Sequence, residues 1–188
     1  MKLGVLSDSH GNLKNLEEAA KWLIENEKVE VLVHLGDDSD DTKVLEKFGV
    51  KLIKVPGVFE DYYQDPGITN RLIETFDGKR VLISHTEEVH KNDPAPEVKE
   101  LIRPEEVIAK KEVDLALVGH THIPKIEDRG GVLIFNPGHL KEWETEQKKG
   151  YFPSFGLVDF EKRIAKVINL EKKATIIQKN FLGGENGS

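Results

Sequence analysis

The chain has 188 residues, 38% hydrophobic and 32% charged, with a formal net charge of −7. That length suits one domain with a substantial core, and the acidic balance argues against a general nucleic-acid grip, which relies on a basic surface. Cysteine is absent, which excludes disulfides and thiolate metal sites.

Lys2 to Leu6 is a short apolar run ending at Ser7-Asp8 and reads as a strand. It starts at once, without a charged-then-apolar leader, and no apolar stretch approaches the roughly 20 residues that span a membrane. A cytoplasmic protein is the expectation, and the single Met with abundant Lys and Glu points to a thermophile. Asn12 is placed to cap a helix whose face carries Leu13, Leu16, Ala20, Leu23 and Ile24. Val29 to Leu35 follows as a buried strand, so residues 2 to 35 form a βαβ unit with both strand carboxyl ends on one edge.

Thr42 to Phe48 is predicted helical, with Gly49 as its stop, and Val50 to Val55 is a third strand closed by Pro56-Gly57. Arg71 to Phe76 and Lys79 to Ser84 flank Asp77-Gly78, a strong hairpin signal. Glu87 to Arg103 is polar, contains proline and reads as a long functional loop. Pro104 opens a helix through about Lys111, and Asp114 to Val118 is another strand. The remainder reads as antiparallel: Pro124 to Glu127 and Val132 to Phe135 around Asp128-Arg129-Gly130-Gly131, then Phe155 to Phe160, Ile164 to Leu170 and Ala174 to Gln178. Two sheets packed face to face with helices outside are expected, in one domain over residues 1 to 180, with 181 to 188 a frayed tail.

Four segments deliver Asp or His where a strand gives way to a loop: Asp8-Ser9-His10, Gly36-Asp37-Asp38, Ser84-His85 and Gly119-His120-Thr121-His122. Residues two apart in extended chain face the same way, so Asp8 pairs with His10 and His120 with His122. Carboxylates and imidazoles bind divalent first-row metals, and a metal pair clamps a reacting phosphoryl group. His34 points to the opposite strand face from Asp37 and is expected as a buried support, with Asn12 nearby as helix cap. Asp38, Asp40 and Asp41 read as caps and loop acids, and His90 as an exposed loop residue. His139, after the Pro137-Gly138 turn, is a candidate for touching substrate, since such turns present backbone groups to anions.

These residues, taken together, resemble a known family. Ser7-Asp8-Ser9-His10-Gly11-Asn12, His34-Leu35-Gly36-Asp37, Ser84-His85 and Gly119-His120-Thr121-His122 look like successive signatures of the calcineurin-like metallophosphoesterases. The short length and Asn136-Pro137-Gly138 are similar to the small prokaryotic phosphodiesterase subgroup, whose eukaryotic relative is the retromer scaffold subunit. The resemblance implies an α/β fold, a four-layer α/β/β/α sandwich of two mixed sheets with a dinuclear site at its strand ends. It implies that Asp8, His10, Asp37 and His122 hold one metal, Asp37 bridging to a second held by His85 and His120. Two divalent ions are expected, drawn from Mn, Ni, Fe, Zn or Mg. A metal-bound hydroxide attacking phosphorus in line would make the chain a phosphodiesterase, with Asp37 and His139 in its machinery and a small phosphate ester as substrate.

One stretch departs from the family pattern. The family has Gly-Asn, a variable residue and an acid, and its Asn ligates the second metal; here the match is Gly57-Val58-Phe59-Glu60. Valine cannot coordinate a metal, and Phe59 stands where larger members place a His acid. Glu60 or Asp61 is the candidate replacement ligand, water filling the position and a weak second site being the other accounts. Val58 favours a rival reading, a binding scaffold for a protein partner; a nuclease is a further alternative that the acidic balance disfavours. A homo-oligomer stays open.

Overall fold

A computed structural model describes residues 1–141 and 152–181. Six strands form the first sheet: β1 (Lys2–Leu6), β2 (Val31–His34), β3 (Lys51–Lys54), β9 (Ser154–Asp159), β10 (Ile164–Asn169) and β11 (Thr175–Asn180), in the order β11-β10-β9-β1-β2-β3. Five form the second: β4 (Arg71–Phe76), β5 (Lys79–Ser84), β6 (Leu115–Leu117), β7 (Lys125–Arg129) and β8 (Val132–Asn136), in the order β4-β5-β6-β8-β7. Both sheets are mixed. β1, β2 and β3 run parallel, as do β5, β6 and β8, while the hairpin strands pair antiparallel.

Two-residue alternation explains the layering. Leu3, Val5, Val31 and Val33 meet Val81, Ile83, Leu115, Leu117 and Phe135 in one apolar cluster between the sheets. The neighbours one position along face outward. Leu32 and Leu157 pack under α1 (Leu13–Trp22) with Leu16, Ala19, Ala20 and Leu23. On the opposite face, Leu82, Ala116 and Ile134 pack under Val107 and Ile108 of α2 (Pro104–Ala109). The result is the expected α/β/β/α stack, with six-residue α2 and irregular chain making a thin fourth layer.

Several local expectations need correction. Leu13 is 43% exposed because it opens α1 directly after the Asn12 cap; Ala19 takes its place on the buried face. α1 continues as a π-helical turn over Leu23–Glu27, and the segment expected to be helical from Thr42 is a 3₁₀ helix starting at Ser39. The β7–β8 turn is two residues, Gly130-Gly131, both at positive φ, so Asp128 and Arg129 belong to β7. β8 is not purely antiparallel: the hairpin returns it between β6 and β7, where it runs parallel to β6. Of the expected tail, Phe181 is buried against Phe160, and residues 182–188 lie outside the described residues.

The parallel strands place the ends of β1, β2, β3, β5, β6 and β8 along a common edge. Backbone bonds stitch the loops there: the Asp8 amide donates to the Gly36 carbonyl (2.9 Å), the Gly119 amide to the His85 carbonyl (3.0 Å) and the Leu140 amide to the Asp8 carbonyl (3.1 Å).

Candidate metal centre

All six candidate ligands converge on that edge. Asp8, His10, Asp37 and His122 form one group and Asp37, His85 and His120 a second; within each, one donor atom per residue lies within 4.8 Å of every other. Asp37 belongs to both. Asp8, Asp37 and His85 are buried, whereas His10 is exposed and His120 and His122 are half-buried. The cluster is thus anchored inside the molecule and open at one side.

The donor atoms face each other at distances that suit a shared cation. His10 Nε2 and His122 Nε2 stand 3.1 Å apart, as do His85 Nε2 and His120 Nδ1. His122 Nε2 is 3.2 Å from Asp8 Oδ1, and His85 Nε2 3.3 Å from Asp37 Oδ2. Apart from this approach by His122, Asp8 Oδ1 is buried with no hydrogen bond from the described residues, and burying a carboxylate oxygen this way is costly unless a cation compensates it. Two carboxylates with four imidazoles suit a divalent first-row ion. The donor set fits the metals that the sequence implies.

Backbone geometry marks the same residues. Asp8, His10, Asp37, His120 and His122 all have φ between 46 and 67°, the left-handed region. For a non-glycine residue that conformation costs on the order of 1–2 kcal/mol, and such strain gathers at functional sites because the surroundings over-determine it. The turns that impose it aim five side chains at one spot. Glycine is required beside them: a Cβ on Gly57 would collide with Asp37 Oδ1, and one on Gly119 with Ser7 Oγ.

A supporting shell orients the ligands. His85 Nδ1 is 2.7 Å from the Leu35 carbonyl; its N–H donates there, so Nε2 is the nitrogen turned to the cluster. Asp8 Oδ2 accepts from Ser7 Oγ and, at 3.2 Å, from the His120 amide. Asn136 Nδ2 donates to the Gly119 carbonyl (2.7 Å) and ties the β6 loop down. Asp41, expected as a loop acid, accepts from Ser9 Oγ and from the Gly11 amide, both at 2.8 Å, and so fixes the turn carrying His10. Asn12 is the α1 cap, its side-chain oxygen accepting from the Asn15 amide.

His34 is fully buried, as expected. The Gly36 amide donates to Nδ1 (3.3 Å), so Nε2 carries the proton toward Ser9 Oγ, also 3.3 Å away. Burial, partly offset by the nearby charges of Asp8, Glu60 and Asp41, lowers its pKa from 6.5 to about 4. Well above pH 6.5 neither folded nor unfolded chain carries this proton. As pH falls from there toward 4 the unfolded chain takes it and the folded one refuses it, so stability drops. The full effect is on the order of 3 kcal/mol. Urea midpoints of the metal-free protein between pH 7 and 4 should therefore fall less steeply for His34→Gln than for the wild type; parallel slopes would contradict this origin.

Elsewhere in the metal-free cluster, burial pushes the Asp37 carboxyl up, but the His85 hydrogen bond and the surrounding imidazoles outweigh it and hold the group below its usual range. Burial likewise lowers His85, but the Asp37 hydrogen bond and the Asp8 charge prevail and raise it. Burial and His85 lower His120. Asp37 thus prefers its charged form, the form a metal needs.

Two candidates are not brought to the cluster, and a third lies buried beside it. Glu60 spends its carboxylate on the Ser39 amide (3.1 Å), Ser39 Oγ (2.8 Å), the Gly57 amide and Tyr62 Oη, so it holds the loop rather than offering a metal ligand. Asp61 is exposed at the start of a short 3₁₀ turn, Asp61–Gln64. His139 is fully buried, its ring 5.6 Å from that of His122, with the next residue's amide bound to the Asp8 carbonyl; it packs against the cluster from inside the molecule. Val58 is itself buried. A residue missed in the sequence is His90, whose ring lies 5.5 Å from those of both His120 and Phe59. Nothing in the aperiodic loop around it signals that placement.

Comparison with known proteins bears on what such a centre does. A family model described as the calcineurin-like phosphoesterase superfamily domain matches residues 1–163. A phosphodiesterase from Methanocaldococcus jannaschii is 24% identical over 184 residues, which span 91% of this chain and 100% of that protein. Phosphodiesterase YfcE of Escherichia coli K12 is 35% identical over 78 residues, 42% of this chain and 39% of that protein. The solved structure of YfcE, a phosphoesterase, matches with a TM-score of 0.70 at 22% identity, covering 97% of this chain and 100% of that one. Vps29 of Entamoeba histolytica, complexed with Zn²⁺, matches with a TM-score of 0.65 at 16% identity, covering 97% and 100%. No helix among the described residues is long and apolar enough to cross a membrane.

Proposed function

The chain belongs to the calcineurin-like phosphoesterase superfamily, and from that membership we propose that it is a divalent-metal-dependent phosphodiesterase acting on a small phosphate ester. The observation that carries the reading is the pair of donor groups sharing Asp37 at one sheet edge. In this proposal Asp8, His10, Asp37 and His122 hold one ion, and Asp37, His85 and His120 a second, with Mn²⁺ suited to the mixed oxygen and nitrogen donors. Bound ions would supply a nucleophile near neutral pH, by lowering the pKa of water, and neutralise charge developing on the phosphoryl oxygens.

The protein's own part is placement. Leu35 and Asp8 fix His85 and His120 before substrate arrives, and Asp37 stays charged between the two groups. His139 is buried and Glu60 is committed to its loop, and in this proposal solvent water protonates the leaving oxygen. Activated aryl esters should then react faster than alkyl esters, whose leaving groups need more help.

Val58 leaves the second group with three protein donors, and this favours a second reading, a scaffold that keeps the fold with one ion or none. Metal removal separates the two. Stripping the protein with a chelator should abolish hydrolysis of an aryl phosphodiester, and adding Mn²⁺ should restore it with close to two ions bound per chain. Zero or one ion with no turnover would favour the scaffold.

A further inference from the structure

Phe59 is 64% exposed, at the rim of the candidate centre. Its ring centroid lies 6.2 Å from that of His120, with the planes 33° apart, and 5.5 Å from that of His90, nearly edge-on at 81°. Leaving a phenyl ring in water forfeits a large share of what its burial would contribute. A loop could relieve that by turning the ring inward, but this loop is built to hold it out.

The holding contacts come from both sides. Asn92 Nδ2 donates to the Val58 carbonyl (3.1 Å), and the Asn92 amide donates to His90 Nδ1 (3.2 Å), which sets the His90 ring against Phe59. On the other side Glu60 grips the Gly57 and Ser39 amides. Residues 57 to 60 are thus clamped, and one aromatic face is presented beside a candidate ligand.

We infer that Phe59, braced by His90, is a stacking platform for a planar aromatic ester group of the substrate, an aryl or nucleobase moiety. The inference rests on the phosphodiesterase reading: a phosphoryl group at the ligand cluster would carry its ester substituent one bond further out, over the Phe59 ring. Planarity matters because offset stacking uses the ring quadrupoles, which a saturated ring lacks.

Three phosphonates, which cannot be hydrolysed at their C–P bond, test it. Phenyl-, cyclohexyl- and methylphosphonate would be titrated into the Mn²⁺-loaded protein by calorimetry and assayed as inhibitors of bis(p-nitrophenyl) phosphate hydrolysis. Phenylphosphonate should bind about five- to tenfold tighter than methylphosphonate, the scale of one aromatic pair, with cyclohexylphosphonate between. Phe59→Ala should erase the preference while methylphosphonate binds as before, and Phe59→Trp should keep it. A preference that survives Phe59→Ala, or cyclohexyl binding equal to phenyl, overturns the platform. If none of the three phosphonates binds the wild type and the diester is not hydrolysed, the phosphodiesterase reading has failed and the platform with it.

Discussion

Replacing Asp37 with alanine is expected to remove metal-dependent hydrolysis of a phosphodiester by on the order of a thousandfold or more, and to lower the content of both ions. No other single ligand should do as much. Asp37 is the one residue common to both donor groups, so its loss takes a charged donor from each. The remaining second group would be two imidazoles, too few to hold a hard divalent ion against water. Asp37→Asn is the companion variant, because asparagine tolerates the left-handed backbone at φ 46° and keeps the shape with a neutral oxygen. Metal content by mass spectrometry and kcat, measured on both folded variants, check the argument. Undiminished stoichiometry in Asp37→Ala would refute the bridging role.

Gly57→Ala is expected to be the next most damaging change, although it touches no donor atom chemically. The new methyl would fall on Asp37 Oδ1, and would lie 2.7 Å from Asp37 Cγ and 2.8 Å from the Asp37 amide nitrogen. Something must move. The Gly57 loop is clamped by Glu60 and by the Asn92 bond to Val58, so the Asp37 turn is the softer partner. A displacement of about 1 Å at a catalytic position costs about a hundredfold in rate, and overpacking of this kind costs roughly 1–3 kcal/mol of stability. Thermal unfolding alongside metal content distinguishes a displaced carboxylate from a collapsed fold. Wild-type turnover and metal binding in Gly57→Ala would show that the loop yields instead.

The convergence of the six candidate ligands was legible in the sequence because strand ends are. Continuous apolar runs announce β1, β2, β5 and β6, and parallel pairing then gathers their carboxyl ends whatever the distance along the chain. Asp77-Gly78 likewise announced the β4–β5 hairpin with its bounds. The misreadings have a common physical cause: they concern side chains whose partners are set by tertiary packing. Glu60 reads as an available acid until Ser39 and Tyr62 are seen around it. The burial of His139 beside His122 was illegible for the same reason, because the Leu140 amide bond to the Asp8 carbonyl sets it. His90 sits in a loop without periodicity, and only Asn92 and Phe59 give it a place. Leu13 fits a helical face by spacing alone, but a first-turn residue beside the cap looks outward.

The division of donors between the sheets carries a last consequence. Asp8, His10 and Asp37 follow strands of the first sheet, whereas His85, His120 and His122 follow strands of the second, so each donor group needs members from both. A chain that has made one sheet and not docked the other owns no complete set. Ion capture therefore requires both sheets in place, and by mass action an ion that binds only the finished molecule draws the population toward it. The catalytic cargo would double as a clasp, closed only when the two sheets have found each other.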